Sequence, residues 1–103
     1  MRRVQVATSA RLVFQTMLEQ GAEKFGVAVA MEKERIVFDV LTTYLSEHPY
    51  RGNYDSRLKL HTYHVSKTPF VLVYEYDDAE LRVLFIIHER ADRRLIDPND
   101  VDW

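Results

Sequence analysis

The sequence contains no cysteine. That excludes a disulfide framework, a thiolate metal site and a cysteine nucleophile, and it suits a reducing cytosol. Glycine and proline number only three each, and neither repeats nor low-complexity segments interrupt the chain. No apolar run approaches the roughly 18 residues that a membrane-spanning helix needs. Met1-Arg2-Arg3 is followed by positions that polar residues keep interrupting, so a signal peptide's apolar core is missing. The expected location is therefore cytoplasmic, with no membrane partner.

Charge of one sign is lacking too. A net charge of −2 provides no global positive field to draw the chain onto nucleic acid. The charges are local instead. Acids gather in Asp77-Asp78-Ala79-Glu80 and in the tail at Asp97, Asp100 and Asp102, and bases gather at Arg90, Arg93 and Arg94. Metal-ligand spacing is absent as well. The four histidines include no HxH or HxxxH pair, and His61 and His64 lie three apart, on opposite faces of a strand. No metal or other cofactor is expected. Neither a Gly-rich phosphate loop nor a G-x-S-x-G turn occurs.

What is present fits one domain. The chain has 103 residues, 47% hydrophobic and 29% charged, with no room for a second core. Val4 and Val6 alternate with polar neighbours, which predicts a short strand over 2–7. Thr8 or Ser9 can cap a helix over 9–24, where Phe14, Met17, Leu18 and Ala22 recur at helical spacing. Gly26 stops it. A second helix runs from Val27 to about Glu47, carrying Ile36, Val37, Val40, Leu41, Tyr44 and Leu45 on one stripe. Pro49 ends it. The short link between the two predicts an antiparallel helical hairpin.

Residues 48–56 read as a loop, and three strands follow at Arg57–Val65, Phe70–Tyr76 and Leu81–Glu89, joined by four-residue connections. The order is β-α-α-β-β-β. The expected fold class is α+β, with an antiparallel sheet and the helical hairpin packed on one face. Alternation then assigns Leu81, Val83, Phe85 and Ile87 to the helix side. It assigns Arg57, Lys59, His61, Tyr63, Arg82 and His88 to an outer, basic face. Arg90 and Asp92 could pair beyond the last strand.

Certain stretches carry a family likeness. They are Pro49 and Gly52 in the loop, Arg57-Leu58-Lys59-Leu60, Thr68-Pro69-Phe70-Val71-Leu72-Val73-Tyr74, and the run Val83-Leu84-Phe85-Ile86-Ile87-His88-Glu89-Arg90-Ala91-Asp92. With the element order and length, they resemble the RelE/ParE superfamily, the toxin half of bacterial type II toxin–antitoxin pairs. The resemblance spans nearly the whole chain. It implies an antitoxin, ParD-like, whose C-terminal segment wraps the toxin, and Phe14, Met17 and Met31 are placed to receive it.

The superfamily carries two activities. RelE-like members cleave mRNA on the ribosome, and the matching candidates here are Lys59, Arg82 and His88. ParE-like members poison DNA gyrase, a topoisomerase. No tyrosine follows Tyr76, although many of the nucleases end in one, and a chain of net charge −2 is ill suited to a site rich in RNA phosphate. Both departures favour the ParE-like branch. No catalytic residue is then expected, and His61, His88, Arg90, Arg93 and Arg94 become the candidates for contacting the target. A non-toxic module that only binds its antitoxin is the third reading.

Overall fold

The computed structural model describes all residues, Met1 to Trp103. In chain order the elements are β1 (Arg3–Val6), α1 (Thr8–Phe25), α2 (Val27–Asp39), β2 (Asn53–Asp55), β3 (Leu60–His64), β4 (Phe70–Tyr76) and β5 (Glu80–His88). The fold class is α+β. The sheet order is β1-β5-β4-β3-β2. It is mixed rather than purely antiparallel, because β1 pairs with β5 in parallel while the other pairs are antiparallel. Two helices intervene between the first strand and the rest, so β1 docks beside the last strand with no tight turn to force an antiparallel pair. No helix is long and apolar enough to cross a membrane.

The helical hairpin turns at Gly26, whose φ of 98° lies in the region that favours glycine. Thr8 and Ser9 do not cap α1. The N-cap position is Ala7, which makes no side-chain bond. The far end of the chain serves instead: Ser9 N–H donates to the Asp102 carbonyl at 3.1 Å, and Thr8 Oγ1 donates to the Trp103 carbonyl at 3.0 Å. The second helix does not continue as an α-helix to residue 47. After α2 the chain widens into a π-helical turn, Val40–Leu45. There Thr42 Oγ1 donates to the Phe38 carbonyl at 2.9 Å and Ser46 Oγ donates to that of Thr42 at 2.8 Å, so hydroxyls compete with the backbone ladder.

The expected loop contains a short 3-10 turn, Pro49–Arg51, and the edge strand β2. The strand predicted from Arg57 begins only at Leu60, because Asp55 folds the chain back. Its carboxylate accepts from the backbone N–H of Arg57 and Leu58 at 3.0 and 3.1 Å, and Lys59 takes the left-handed conformation, φ 58°.

One irregularity decides which way the side chains point. Val73 pairs with Phe85, yet the next residue, Tyr74, pairs with Val83. Leu84 is therefore an extra residue, a β-bulge. Leu81 and Val83 face the helices, and beyond the bulge Ile86 does. Phe85 and Ile87, expected on that side, pack on the opposite face around Leu58, Leu60, Val73 and Leu84.

The sheet thus has two apolar faces. Helices cover one, where Phe14, Val37, Leu41, Leu72, Tyr74 and Leu81 are buried. The C-terminal segment covers part of the other, through Ile96 and Val101. Arg57 anchors its start by donating to the Arg93 carbonyl.

Buried Tyr74 ties the 3-10 turn to the sheet, since its hydroxyl donates to the Pro49 carbonyl at 2.6 Å. Burial pushes its pKa up to about 12. A Cβ on Gly52 would collide with that hydroxyl and lie 2.7 Å from the Thr62 carbonyl. Tyr74→Phe should destabilise the protein by about 1 kcal/mol, the loss of one buried hydrogen bond. Gly52→Ala should cost more, about 1–3 kcal/mol, because backbone must move. Urea denaturation of both variants checks the ranking.

Candidate functional site

Residues of β1, α1 and α2 line an open cavity of about 920 Å³. Its floor is apolar: Val4, Val6, Phe14, Val37, Leu41 and Ile86. Its rim carries Met31 and Phe38, each 63% exposed. Arg35 on the rim is held by Glu32 at 2.5 Å and Asp39 at 2.7 Å, within its own helix. Arg11 forms no ion pair.

The strand beside this groove is a sheet edge. Arg3 N–H donates to Ala79 at 3.0 Å and Ala7 N–H to Val83 at 2.9 Å, both inward. Alternate residues point the other way, so Val4 and Val6 turn their backbone groups to the open edge. Of the three residues expected to receive a partner, Phe14 and Met31 line this groove. Met17 lies in a neighbouring cleft of about 170 Å³, with Phe25, Phe70 and His88.

The expected basic outer face does not form. Lys59 stands on the β2–β3 turn. Arg82 is on the face away from the helices, within reach of Glu75 (3.5 Å), Asp77 (3.0 Å) and Glu80 (3.4 Å). Asp77 foremost, and then Glu75, raise its pKa. Backbone amides of Glu80 and Ala79, then Arg82, hold Asp77 down at about 2. His88 has been turned to the helix side by the bulge, where its Nδ1 accepts from the Arg90 N–H at 3.1 Å. The trio Lys59, Arg82 and His88 is therefore dispersed. Beyond β5, Asp92 pairs with Arg94 at 2.9 Å and not with Arg90. Arg90 and Arg93 are exposed and form no ion pair. No group of three metal-ligating side chains converges. His64 binds Glu89 at 3.1 Å and the Thr68 carbonyl at 2.7 Å, across the sheet from His61.

No protein-family model matches this chain, and no curated protein matches it.

A second feature escaped sequence reasoning altogether. All six tyrosines, with His48 and His61, gather at one corner of the helix-side face. His61 and Tyr63 were assigned to the outer face, but their partners Tyr74 and Leu72 face the helices, so they do too. The only signal in the sequence was the count of tyrosines in residues 44–76. Their convergence depends on register, which alternation alone cannot supply.

Burial lowers the pKa of His61 from its ordinary value. Its Nδ1 is sealed from solvent with no hydrogen-bond partner. The folded state resists the proton that the unfolded chain accepts near about pH 6.5. Stability from this group is present above that pH and is lost as pH falls through the window below it. Wild-type protein should therefore lose more melting temperature between about pH 7 and pH 5 than His61→Phe does. Thermal melts of the pair at both pH values measure the difference.

Proposed function

We propose that this chain is a ParE-like toxin of a type II toxin–antitoxin pair, acting in the cytoplasm. Its target is DNA gyrase or another topoisomerase, and a cognate ParD-like antitoxin neutralises it. One observation carries this reading: the apolar groove lies open beside an unpaired strand edge. A contiguous apolar surface of that kind marks a partner's site on a soluble protein. The edge of β1 offers backbone hydrogen bonds, and the groove offers pockets for alternate side chains or one face of a helix. Met31 and Phe38 are the exposed anchors for the antitoxin.

Target contact falls to the unpaired arginines after β5. Arg90 and Arg93 are exposed, whereas Arg94 is engaged by Asp92. His88 stands at the root of that segment, and His61 belongs to the aromatic corner. The endonuclease reading draws less support. Stabilising a pentacovalent phosphate needs positive groups converging on one point, and Lys59, Arg82 and His88 are apart, with Arg82 occupied by carboxylates.

Purified chain, free of antitoxin, should inhibit gyrase supercoiling, and its induction in cells should arrest growth. Met31→Glu combined with Phe38→Glu should keep that toxicity yet weaken antitoxin binding about 100-fold, because two charges enter a desolvated interface. Full growth with no inhibition of supercoiling removes the toxin reading and leaves an antitoxin-binding module. Cleavage of ribosome-bound mRNA, abolished by Lys59→Ala or His88→Ala, replaces gyrase with the ribosome.

A further inference from the structure

The small cleft that holds Met17 carries charge of one sign only. Met17 and Leu18 of α1, Val29 of α2 and Phe70 of β4 form its apolar walls, and its volume is about 170 Å³. A dry apolar cavity of about 150 Å³ takes one benzene ring. Lys24, Lys33 and His88 line the cleft as well, and no aspartate or glutamate does. The chain as a whole has 16 acidic and 14 basic residues, so this segregation is local. Gly21 lies on the same lining and adds an independent sign. Glycine inside a helix is less stable than alanine there. Its backbone does not require it, since Gly26 is the glycine with positive φ. Packing does not require it either, because a Cβ at Gly21 would meet nothing within 4 Å. What the missing side chain keeps open is the cleft.

The fold neutralises neither lysine. Lys24 and Lys33 form no ion pair. Carboxylates pair along a helix at three- and four-residue spacing. Those positions hold Gln20 and Gly21 before Lys24, and Val29, Ala30, Ile36 and Val37 around Lys33. The carboxylates nearby face or bind elsewhere. Glu19 and Glu23 lie two residues either side of Gly21, about 160° round α1 from it. Glu32 and Glu34 line the large groove, and Arg35 holds both oxygens of Glu32, at 2.5 and 3.1 Å. Glu89 binds His64 at 3.1 Å. Lys33 Nζ sits 5.4 Å over the Phe25 ring, which steadies the stem and leaves the charge in place. Because His88 Nδ1 accepts from the Arg90 N–H, neutral His88 carries its proton on Nε2, the nitrogen left to donate.

We propose that this cleft binds a small aromatic monocarboxylate. One ring lies between the apolar walls, over Gly21, and its carboxylate meets the ammonium groups of Lys24 and Lys33, with His88 Nε2–H as a third donor. An apolar pocket with a few convergent polar groups is the usual form of a small-ligand site. Two ammonium groups match the two oxygens of one carboxylate. The site requires neither an antitoxin nor a topoisomerase, so it stands or falls apart from the toxin reading.

Titration of the isotope-labelled full chain with benzoate and with phenylpropionate, followed by amide NMR, tests it. Amides around Gly21, Lys24, Ala30 and His88 should shift and saturate, with a Kd below about 1 mM for the better ligand. Benzyl alcohol, similar in size and uncharged, should bind about tenfold more weakly. The double variant Lys24→Met with Lys33→Met should erase that preference, so that acid and alcohol bind alike. Gly21→Leu separates the site from the fold. Leucine is the better helix former and its side chain enters open space, so this variant should melt no lower than wild type. It should nevertheless lose about tenfold or more in carboxylate affinity, because the leucine fills the ring's place. The proposal is overturned if no shift saturates by about 10 mM ligand, or if the saturating shifts cluster at the large groove. It is equally overturned if benzyl alcohol binds wild type as well as the acids do, if phenyl phosphate binds more tightly than either acid, or if Gly21→Leu keeps wild-type affinity.

Discussion

Leu84 is one residue too many for the ladder it occupies, and most of this architecture follows from that excess. Two consecutive residues of β5, Leu84 and Phe85, face the same side of the sheet. Before the bulge, apolar parity points at the helices, and after it the parity reverses. A regular strand would have sent Phe85 and Ile87 under the helices and Ile86, with Leu84, to the far face. The bulge moves Phe85 and Ile87 to the far face, where Leu58, Leu60 and Val73 complete a second apolar cluster. A sheet apolar on both faces needs two covers.

The second cover is thin. From Arg93 onward it is one extended segment with a single 3-10 turn, and its apolar contacts are Ile96 and Val101. Leu95 remains 83% exposed, and Asp97, Asp100 and Asp102 form no ion pair with the body. Its firmest hold is at the end, where backbone groups of Asp102 and Trp103 meet Thr8 and Ser9. One of them satisfies the Ser9 N–H, a donor that the first turn of α1 leaves orphaned, since Ala7 brings no capping oxygen. Sheet cover and helix cap are thus one device.

What the sequence made legible tracks how local each determinant is. The helical hairpin was readable because periodicity and Gly26 act within a few residues. So were β4, β5 and the connection between them. The mixed sheet was not, since pairing of β1 with β5 joins residues nearly 80 positions apart. Helix two was read too long because Val40, Leu41, Tyr44 and Leu45 continue the apolar stripe, while the hydroxyls of Thr42 and Ser46 beside it loosen the ladder. The strand drawn from Arg57 overlooked Asp55, a turn former by its side-chain chemistry. The candidate site suffered most. A one-residue bulge sent His88 to the opposite face from Arg82, and the faces of β3 were inverted because polar residues were taken to avoid the helices.

That last inversion has a physical lesson in it. Helix α1 packs on β5, at one side of the sheet, so the helix-side face over β2 and β3 is left to other cover. There Tyr63 meets the π-helical turn through Tyr44, and Tyr74 meets the 3-10 turn through the Pro49 carbonyl. Tyrosine suits that intermediate setting, with a ring that packs and a hydroxyl that reaches water or a carbonyl. The opposite face of β3 places Leu60 in the second apolar cluster, with buried Thr62 next along it. Polarity along β3 therefore reports which cover lies over each side, and the helices alone do not define the inside.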